Sequence, residues 1–364
     1  MEYVQERVTT LHDYGDANPP APTGQTTVVV PLAERDHASL SADRTFSKLA
    51  RTDPERVIVA LRADEADVGT VREWLATFDL DAELLWCTAP SLENRLREQG
   101  LDGTAGKGRD VWLALGVASQ SEYVAVHDAD AVSYDETHVP RLLFPLANGY
   151  EFTKGYYARV ENDHLYGRLF RLFFVPLVRA LAARHDAAYL SYLNAFRYAL
   201  AGEFALTGEL ARRVRTPRGW GLEVGSLGDA FAHAGFERTA QVDLGVHEHD
   251  HRSVDGPSGL GEMCAEVGAA LFHTLSDHGV EPEFRRLVDD YRETANRLVD
   301  QYAADAVFNG LIYDPERERD QVAVYSEAIK EPPTDRRLPA WTEANLAPET
   351  VSALSAEAIA EATR

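Results

Sequence analysis

The sequence predicts an α/β protein built on a largely parallel sheet with helices on both faces. Two observations predict it. Short apolar runs recur through the first 130 residues, TTVVVPL (26–32), RVIVAL (56–61), AELLWC (82–87) and YVAVHDAD (123–130), with helical spacing between them. Runs of this kind suit strands buried on both faces, and their alternation with helices implies crossover connections. In such sheets ligands bind beyond the carboxyl ends of the strands. That rule gathers Pro31 to Glu34, Arg62 to Glu65 and Asp128 to Asp130 around one crevice.

Taken in order, residues 1–25 form a lead-in that ends in the Pro-rich DANPPAPTGQ. The main domain spans 26–255, in two halves, 26–135 and 136–255. In the second half GYEFTKGYYARV (149–160) alternates like a strand, LFRLFFVPLVRALAAR (169–184) is helical, and AQVDLGVHEHDH (240–251) is again a strand. Residues 256–330 are a helical segment with two apolar stripes, Leu260, Met263, Cys264, Val267 and Leu271, then Phe284, Leu287, Val288, Tyr291, Leu298 and Val299. Residues 331–364 are polar and Pro-bearing, which predicts a loosely packed tail.

Acidic residues outnumber basic ones by 59 to 36, giving a net charge of −23 over 364 residues. A field of that sign repels nucleic acid and anionic membranes. The acidic residues are spread along the chain and most basic residues are arginines, a pattern that points to a high-salt environment. Cys87 and Cys264 lie far apart in apolar runs, so neither a disulfide framework nor a Cys-rich zinc site is expected. No run reaches the ~18 apolar residues of a membrane span, and MEYVQERVTT lacks a signal peptide's regions. The expectation is a soluble cytoplasmic protein.

Several motifs carry chemistry, each with a plainer alternative. In an extended strand Asp128 and Asp130 would share a face; crowded carboxylates suit Mg²⁺ with a substrate diphosphate, or simply a hydrated strand end. TAGKGRDVW (104–112) sets Lys107 between glycines at a helix start, where a phosphate would be favoured; an exposed turn lysine is the alternative. His247, His249 and His251 fall on one strand face ~6–7 Å apart, too far to hold one ion together, so one of them joining Asp130 is the better reading. Arg168 and Arg171, one helical turn apart and close after Lys154 and Arg159, suit a phosphate-bearing ligand, or surface pairing with Glu161 or Asp163. RGWGLEVGSLGDAF (218–231) sets Glu223 in a Gly-rich loop opening a helix, placed to hold sugar hydroxyls or to cap the helix.

Taken together and in order, VVVPLAE, GKGRDVW, VHDAD, LYGRL, ALAGEFAL, GWGLEVG and VDLGVHEH resemble the glucosyl-3-phosphoglycerate synthase family, retaining glycosyltransferases related to mannosyl-3-phosphoglycerate synthases. The resemblance covers roughly residues 1–275. It implies a GT-A-type, Rossmann-like nucleotide-sugar-binding domain with a mixed sheet, followed by C-terminal helices. It implies that Pro31, Leu32, Ala33 and Glu34 hold the uridine and ribose, and that Lys107, Asp128 and Ala129 lie on the nucleotide-sugar side. Asp130 would be a direct metal ligand and His249 the second. Gly167 and Arg168 would bind the phosphoglycerate, with Arg171, Lys154 and His251 beside them, and Glu223 would meet the transferred sugar. Asp130, Glu223 and Lys107 would be the catalytic group. LRADEAD stands where many relatives have a D-x-S-x-D-like loop, and Phe170 where related enzymes offer a small hydroxyl.

The implied reaction moves glucose from a nucleoside-diphosphate-glucose to 3-phosphoglycerate with retention, using Mg²⁺, for which Mn²⁺ or Co²⁺ can substitute, in a homodimer. The product is a precursor of the compatible solute glucosylglycerate. Mannose as the sugar, and guanosine or adenosine as the base, remain alternatives at this point. A haloacid-dehalogenase-type phosphatase would also carry DADAV, but directly after its first core strand, whereas three strands precede it here. A non-catalytic sugar-binding protein has no need of metal ligands, a leaving-group lysine and an arginine cluster together.

Overall fold

The computed structural model describes residues 5–248 and 257–364, with side chains described from residue 261 onward in the second stretch. The strands are β1 (Thr9–Leu11), β2 (Thr26–Ala33), β3 (Arg56–Arg62), β4 (Ala82–Trp86), β5 (Tyr123–Val126), β6 (Phe152–Ala158), β7 (Val160–Glu161), β8 (His164–Leu165), β9 (Phe204–Thr207) and β10 (Thr239–Val246). An eight-stranded sheet runs in the order β1-β10-β6-β9-β5-β2-β3-β4, and β7 and β8 form a separate hairpin. Every neighbouring pair in the large sheet is parallel except those of β9, which runs antiparallel to both β5 and β6. The sheet is therefore mixed, as expected, and its parallel strands end together at one edge.

Helices connect the strands: α1 (Leu40–Thr52), α2 (Glu65–Leu75), α3 (Pro90–Glu98), α4 (Lys107–Ala118), α5 (His138–Ala147), α6 (Val175–Ala182), α7 (Ala188–Leu193), α8 (Gly208–Ala211) and α9 (Leu222–His233). The C-terminal part adds α10 (Pro257–Asp277), α11 (Phe284–Asn309), α12 (Pro315–Ser326) and α13 (Pro348–Ala362). The stretch Leu169–Phe174 entering α6 is wound as a π-helix, an irregularity often found near functional sites. Val28, Val29, Val30, Val57, Ile58, Val59, Val124 and Val126 are fully buried, which accounts for the continuous apolar runs.

Two expectations need correction. The lead-in is not merely a lead-in, because Thr9–Leu11 pairs in parallel with Ala240–Val242 and supplies the edge strand. The last thirty residues are not a loose tail. Leu338 pairs with Thr216 through two backbone hydrogen bonds, and α13 packs on β4, α2, α3 and α4. Trp341 stacks on Trp112 with ring centroids 4.3 Å apart. Its Nε1 donates to the Trp112 carbonyl at 2.8 Å, while Trp112 Nε1 donates to the Pro339 carbonyl at 2.8 Å. Gly116 makes the room, since a Cβ there would lie 2.2 Å from the Trp341 ring. Trp341→Ala should therefore destabilise the protein by about 3–5 kcal/mol, read as a lower urea midpoint; an unchanged midpoint would mean that the segment does not contribute to folding.

Candidate active site

The crevice is assembled by glycines. At the start of α4, Gly108 N donates to Gly219 O at 3.3 Å and Arg109 N donates to Arg218 O at 2.8 Å. That backbone contact needs no side chain at position 108, where a Cβ would fall 1.8 Å from Pro217 O. It fastens the first turn of α4 to the loop that opens α9, and so brings Lys107 against Glu223. Lys107 Nζ lies 2.7 Å from Asp128 Oδ1, 2.9 Å from Asp128 Oδ2 and 3.0 Å from Glu223 Oε1. Gly202 clears the other side of Asp128, since a Cβ there would lie 2.1 Å from Oδ2.

The electrostatics follow from this packing. Burial opposes the charge on Lys107, but Asp128 and then Glu223 outweigh it, so its pKa is raised. Burial would push Glu223 up, yet Lys107 and Lys154 hold it below its ordinary value. Asp128 is raised, chiefly by burial; Lys107 works against the shift and Asp130 adds to it. The strand ends at Val126, so the two aspartates lie in the turn beyond β5 rather than on one strand face.

That crowding of Asp128 and Asp130 fits a divalent cation, for which carboxylate oxygens are the natural donors. His249 and His251 lie outside the described residues. The residues just before them are tied to the stretch after Asp130: Val132 N donates to Glu248 O at 2.8 Å and Glu248 N donates to Ser133 Oγ at 3.1 Å. β10 ends at Val246, and His247 is buried with its ring stacked 4.0 Å from that of Tyr157. The expectation that strand geometry continues through the histidines therefore fails at His247.

Pro31, Leu32 and Ala33 form the carboxyl end of β2. Glu34 follows and accepts a hydrogen bond from Asp64 N at 2.7 Å, linking the ends of β2 and β3. Ala129 is buried between the two aspartates. Beneath this edge lies a charged cluster that the sequence reading missed. Arg109 is fully buried and pairs with Glu93 at 2.7 Å, and Asp110 pairs with Arg62 at 3.3 Å. Burial raises Asp110 to about 7 despite Arg62 and Arg109. Its signal was available: GKGRDVW puts two charges where α4 turns apolar on every side.

Before the π-helical stretch, Gly167 has φ +74°, and a Cβ there would lie 2.9 Å from the Tyr198 hydroxyl. Arg168 and Arg171 both meet Glu318 of α12, with Nε of Arg168 at 2.8 Å and Arg171 Nη2 at 3.3 Å. Of the alternatives offered by the sequence, Glu161 lies 3.7 Å from Arg159. Arg171 is buried, donates to the Tyr166 and Leu165 carbonyls at 2.8 and 3.1 Å, and lies over the Tyr302 ring at 4.7 Å. It is committed to packing. The Arg168 side chain keeps 31% exposure and can reach a ligand. Phe170 packs on Tyr198 with centroids 4.6 Å apart. Lys154 lies elsewhere, fully buried among Glu223, Glu203, Lys107 and Asp128.

No protein-family model matches the chain. Comparison with curated proteins finds the glucosyl-3-phosphoglycerate synthase of Methanococcoides burtonii, 31% identical over 390 residues that cover 94% of both chains. The chain belongs to the glucosyl-3-phosphoglycerate synthase family. The synthase of Persephonella marina is 35% identical over 293 residues, 76% of this chain and 72% of that one. Among solved structures, the Mycobacterium tuberculosis synthase in complex with Mn²⁺, UDP-glucose and phosphoglyceric acid superposes with a TM-score of 0.57 at 23% identity, covering 76% of this chain and 89% of that one. This likeness establishes the shared fold of the synthase family. α/β architecture and C-terminal helices thus stand as the sequence predicted them.

Proposed function

We propose that the protein transfers glucose from a nucleoside-diphosphate-glucose, UDP-glucose first among them, to 3-phosphoglycerate with retention at the anomeric carbon. The observation that carries this reading is the Asp128–Lys107–Glu223 contact beside Asp130, at the carboxyl edge of a sheet shared with the glucosyl-3-phosphoglycerate synthases. The tuberculosis relative, crystallised with Mn²⁺, UDP-glucose and phosphoglyceric acid, supports the choice of donor, acceptor and metal.

In this reading Pro31 to Glu34 seat the nucleoside, with Ala129 and Asp128 beside the donor. Asp130 and His249 hold the cation, Mg²⁺ with Mn²⁺ or Co²⁺ as substitutes, which when bound neutralises charge on the leaving diphosphate as a Lewis acid. Lys107 reaches the diphosphate from the first turn of α4, where the helix N-terminus also favours an anion. Glu223 accepts hydrogen bonds from the glucose hydroxyls. Gly167 and Arg168 hold the acceptor phosphate, and His251 is assigned to the same acceptor role. The acceptor's one free alcohol, at C2, then approaches on the face from which the diphosphate departs. The bond from glucose C1 to the diphosphate oxygen breaks, the bond to the acceptor oxygen forms, and the hydroxyl proton passes to the departing phosphate oxygen.

The test is incubation with UDP-glucose, 3-phosphoglycerate and Mg²⁺, following UDP release and the anomeric proton of the product. An α-linked product, with much slower release when GDP-mannose replaces UDP-glucose, is expected. UDP release without an acceptor-dependent product would sink the reading. The same proposal includes a homodimer, cytoplasmic residence, and a product feeding compatible-solute synthesis in a high-salt cell. Exposed Val307, Phe308 and Ile312 near the end of α11 offer an apolar surface to a second copy, and light scattering reads the mass directly. Among the described residues no helix is long and apolar enough to cross a membrane, and the net charge of −23 disfavours nucleic acid.

A further inference from the structure

Arg62 is the last residue of β3, at the edge of the sheet where Pro31, Leu32 and Ala33 end β2. In the parallel register it stands opposite Ala33, so the two side chains share a face of the sheet. α4 packs on that face, because Arg62 Nε lies 3.3 Å from Oδ2 of Asp110 in the first turn of the helix. Asp110 follows Lys107 by three residues, a spacing that makes the two neighbours on a helix surface. A further tie joins the strand ends, since Asp64 N donates to Glu34 Oε2 at 2.7 Å. Arg62 thus stands between the end of β2 and the first turn of α4.

The ion pair is lopsided. The Asp110 side chain is 3% exposed and that of Arg62 is 38% exposed. Neighbouring Arg109 has partners of its own, Glu93 at 2.7 Å and the Cys87 carbonyl at 3.3 Å. Burying a carboxylate costs more than a partly hydrated arginine returns, so stability alone does not account for Asp110. A guanidinium held in one place does account for it. Arg62 turns its Nε to Asp110, and its side chain has no other hydrogen-bond or ion-pair partner among the described residues. The terminal nitrogens keep their N–H donors for a ligand.

A guanidinium donates hydrogen bonds and accepts none. Uracil offers it two ring carbonyls, whereas adenine has no carbonyl and carries an amino donor on its pairing edge. We propose that Arg62, positioned by Asp110, donates to a ring carbonyl of uracil and sets UDP-glucose above ADP-glucose as the donor. The inference rests on the nucleoside role of Pro31 to Glu34 and goes beyond it by naming the residue that selects the base. Selection of this kind comes from a polar group that the wrong base leaves without its partner.

The test compares UDP-glucose with ADP-glucose, each with 3-phosphoglycerate and Mg²⁺. It is run at about pH 8, above the value of about 7 to which burial raises Asp110. The parent protein should show a kcat/KM at least about tenfold higher with UDP-glucose. Arg62→Ala should raise KM for UDP-glucose by about ten- to a hundredfold, the loss of one charge-assisted bond, with kcat within about twofold. Its kcat/KM for ADP-glucose should stay within about twofold, so the preference collapses. Arg62→Lys keeps the charge but not the planar fork, and should behave like the Ala variant. Asp110→Asn should raise the same KM by a smaller factor, because it loosens Arg62. If Arg62→Ala does not fold, the double variant Arg62→Ala/Asp110→Ala, which leaves no unpaired carboxylate, takes its place with the same expectations. An unchanged preference in these variants, or a parent protein that takes both donors equally, would overturn the inference. So would equal losses with both donors, or full recovery in Arg62→Lys, since either would make Arg62 a general cation for the diphosphate. A parent protein that forms no product with either donor would remove the transferase reading itself. An active parent protein beside an Arg62→Ala variant of unaltered preference would remove only the role of Arg62.

Discussion

Asp130→Ala should lower kcat by about a thousandfold or more, equivalent to ~4 kcal/mol of transition-state stabilisation, and should abolish Mn²⁺-dependent UDP binding in calorimetry. The fold should survive. Asp128 titrates above its ordinary value, chiefly through burial, with Asp130 adding to the shift. The sign matters: a carboxyl raised in the folded state contributes stability at low pH that is lost as pH rises through its folded pKa. At neutral pH the crowded pair therefore works against folding, and removing Asp130 relieves it. The melting temperature at pH 7 should be equal or higher than that of the parent protein. Unchanged kinetics in this variant would sink the assignment of Asp130 to the metal. Loss of activity together with a lowered melting temperature would instead make it a structural residue of the turn.

What the sequence disclosed and what it hid divide along physical lines. Strands at 26–33, 56–62 and 123–126 are buried on both faces along most of their length, and burial on both faces leaves an unbroken apolar run in the sequence. Thr9–Leu11 is an edge strand in a polar context, and Phe204–Thr207 is four residues long between a glycine and the short helix α8. Neither leaves such a trace, so the antiparallel strand was implied only by the family resemblance. In α13 the buried positions include Val351, Ser355, Ala358 and Ile359, a stripe diluted with small residues. The indole pair Trp112–Trp341, which anchors the segment before it, joins positions that no local pattern connects.

The site shows the same division. Lys107, Asp128 and Glu223 were each legible as charged residues among glycines or at a strand end. Their meeting at one point depends on Gly108 lying against the Pro217 carbonyl, a contact between segments more than a hundred residues apart. Arg168 and Arg171 read as a matched pair of cations on one helical turn. The structure separates them, because Glu318 and the Tyr302 ring claim Arg171 while Arg168 keeps part of its guanidinium in the open. Lys154 read as one more cation near the arginines, and strand register instead puts it opposite Phe204 and Gln241 in the sheet.

Arg168→Ala is expected to lower kcat/KM for 3-phosphoglycerate by about ten- to a hundredfold, since a charge-assisted hydrogen bond to phosphate contributes roughly 1.5–3 kcal/mol. The geometry makes the effect specific. Glu318 Oε1 accepts from Arg168 Nε at 2.8 Å, and Glu318 is itself nearly buried. The Arg168 side chain keeps 31% exposure beside Gly167, which adopts a φ of +74° and brings no side chain of its own. Guanidinium donors held in this manner match the oxygens of a phosphate. UDP-glucose binding and slow donor hydrolysis should change by less than about twofold, because Arg168 has no part in the Lys107–Asp128–Glu223 contact. Free glycerate, which lacks the phosphate, should be a poor acceptor for the parent protein and little worse for the variant. Glu318→Ala should reproduce part of the acceptor defect by releasing Arg168, again without touching the donor. Equal losses with 3-phosphoglycerate and glycerate would show that Arg168 serves the fold or the donor, and the acceptor assignment would then have to move to another residue.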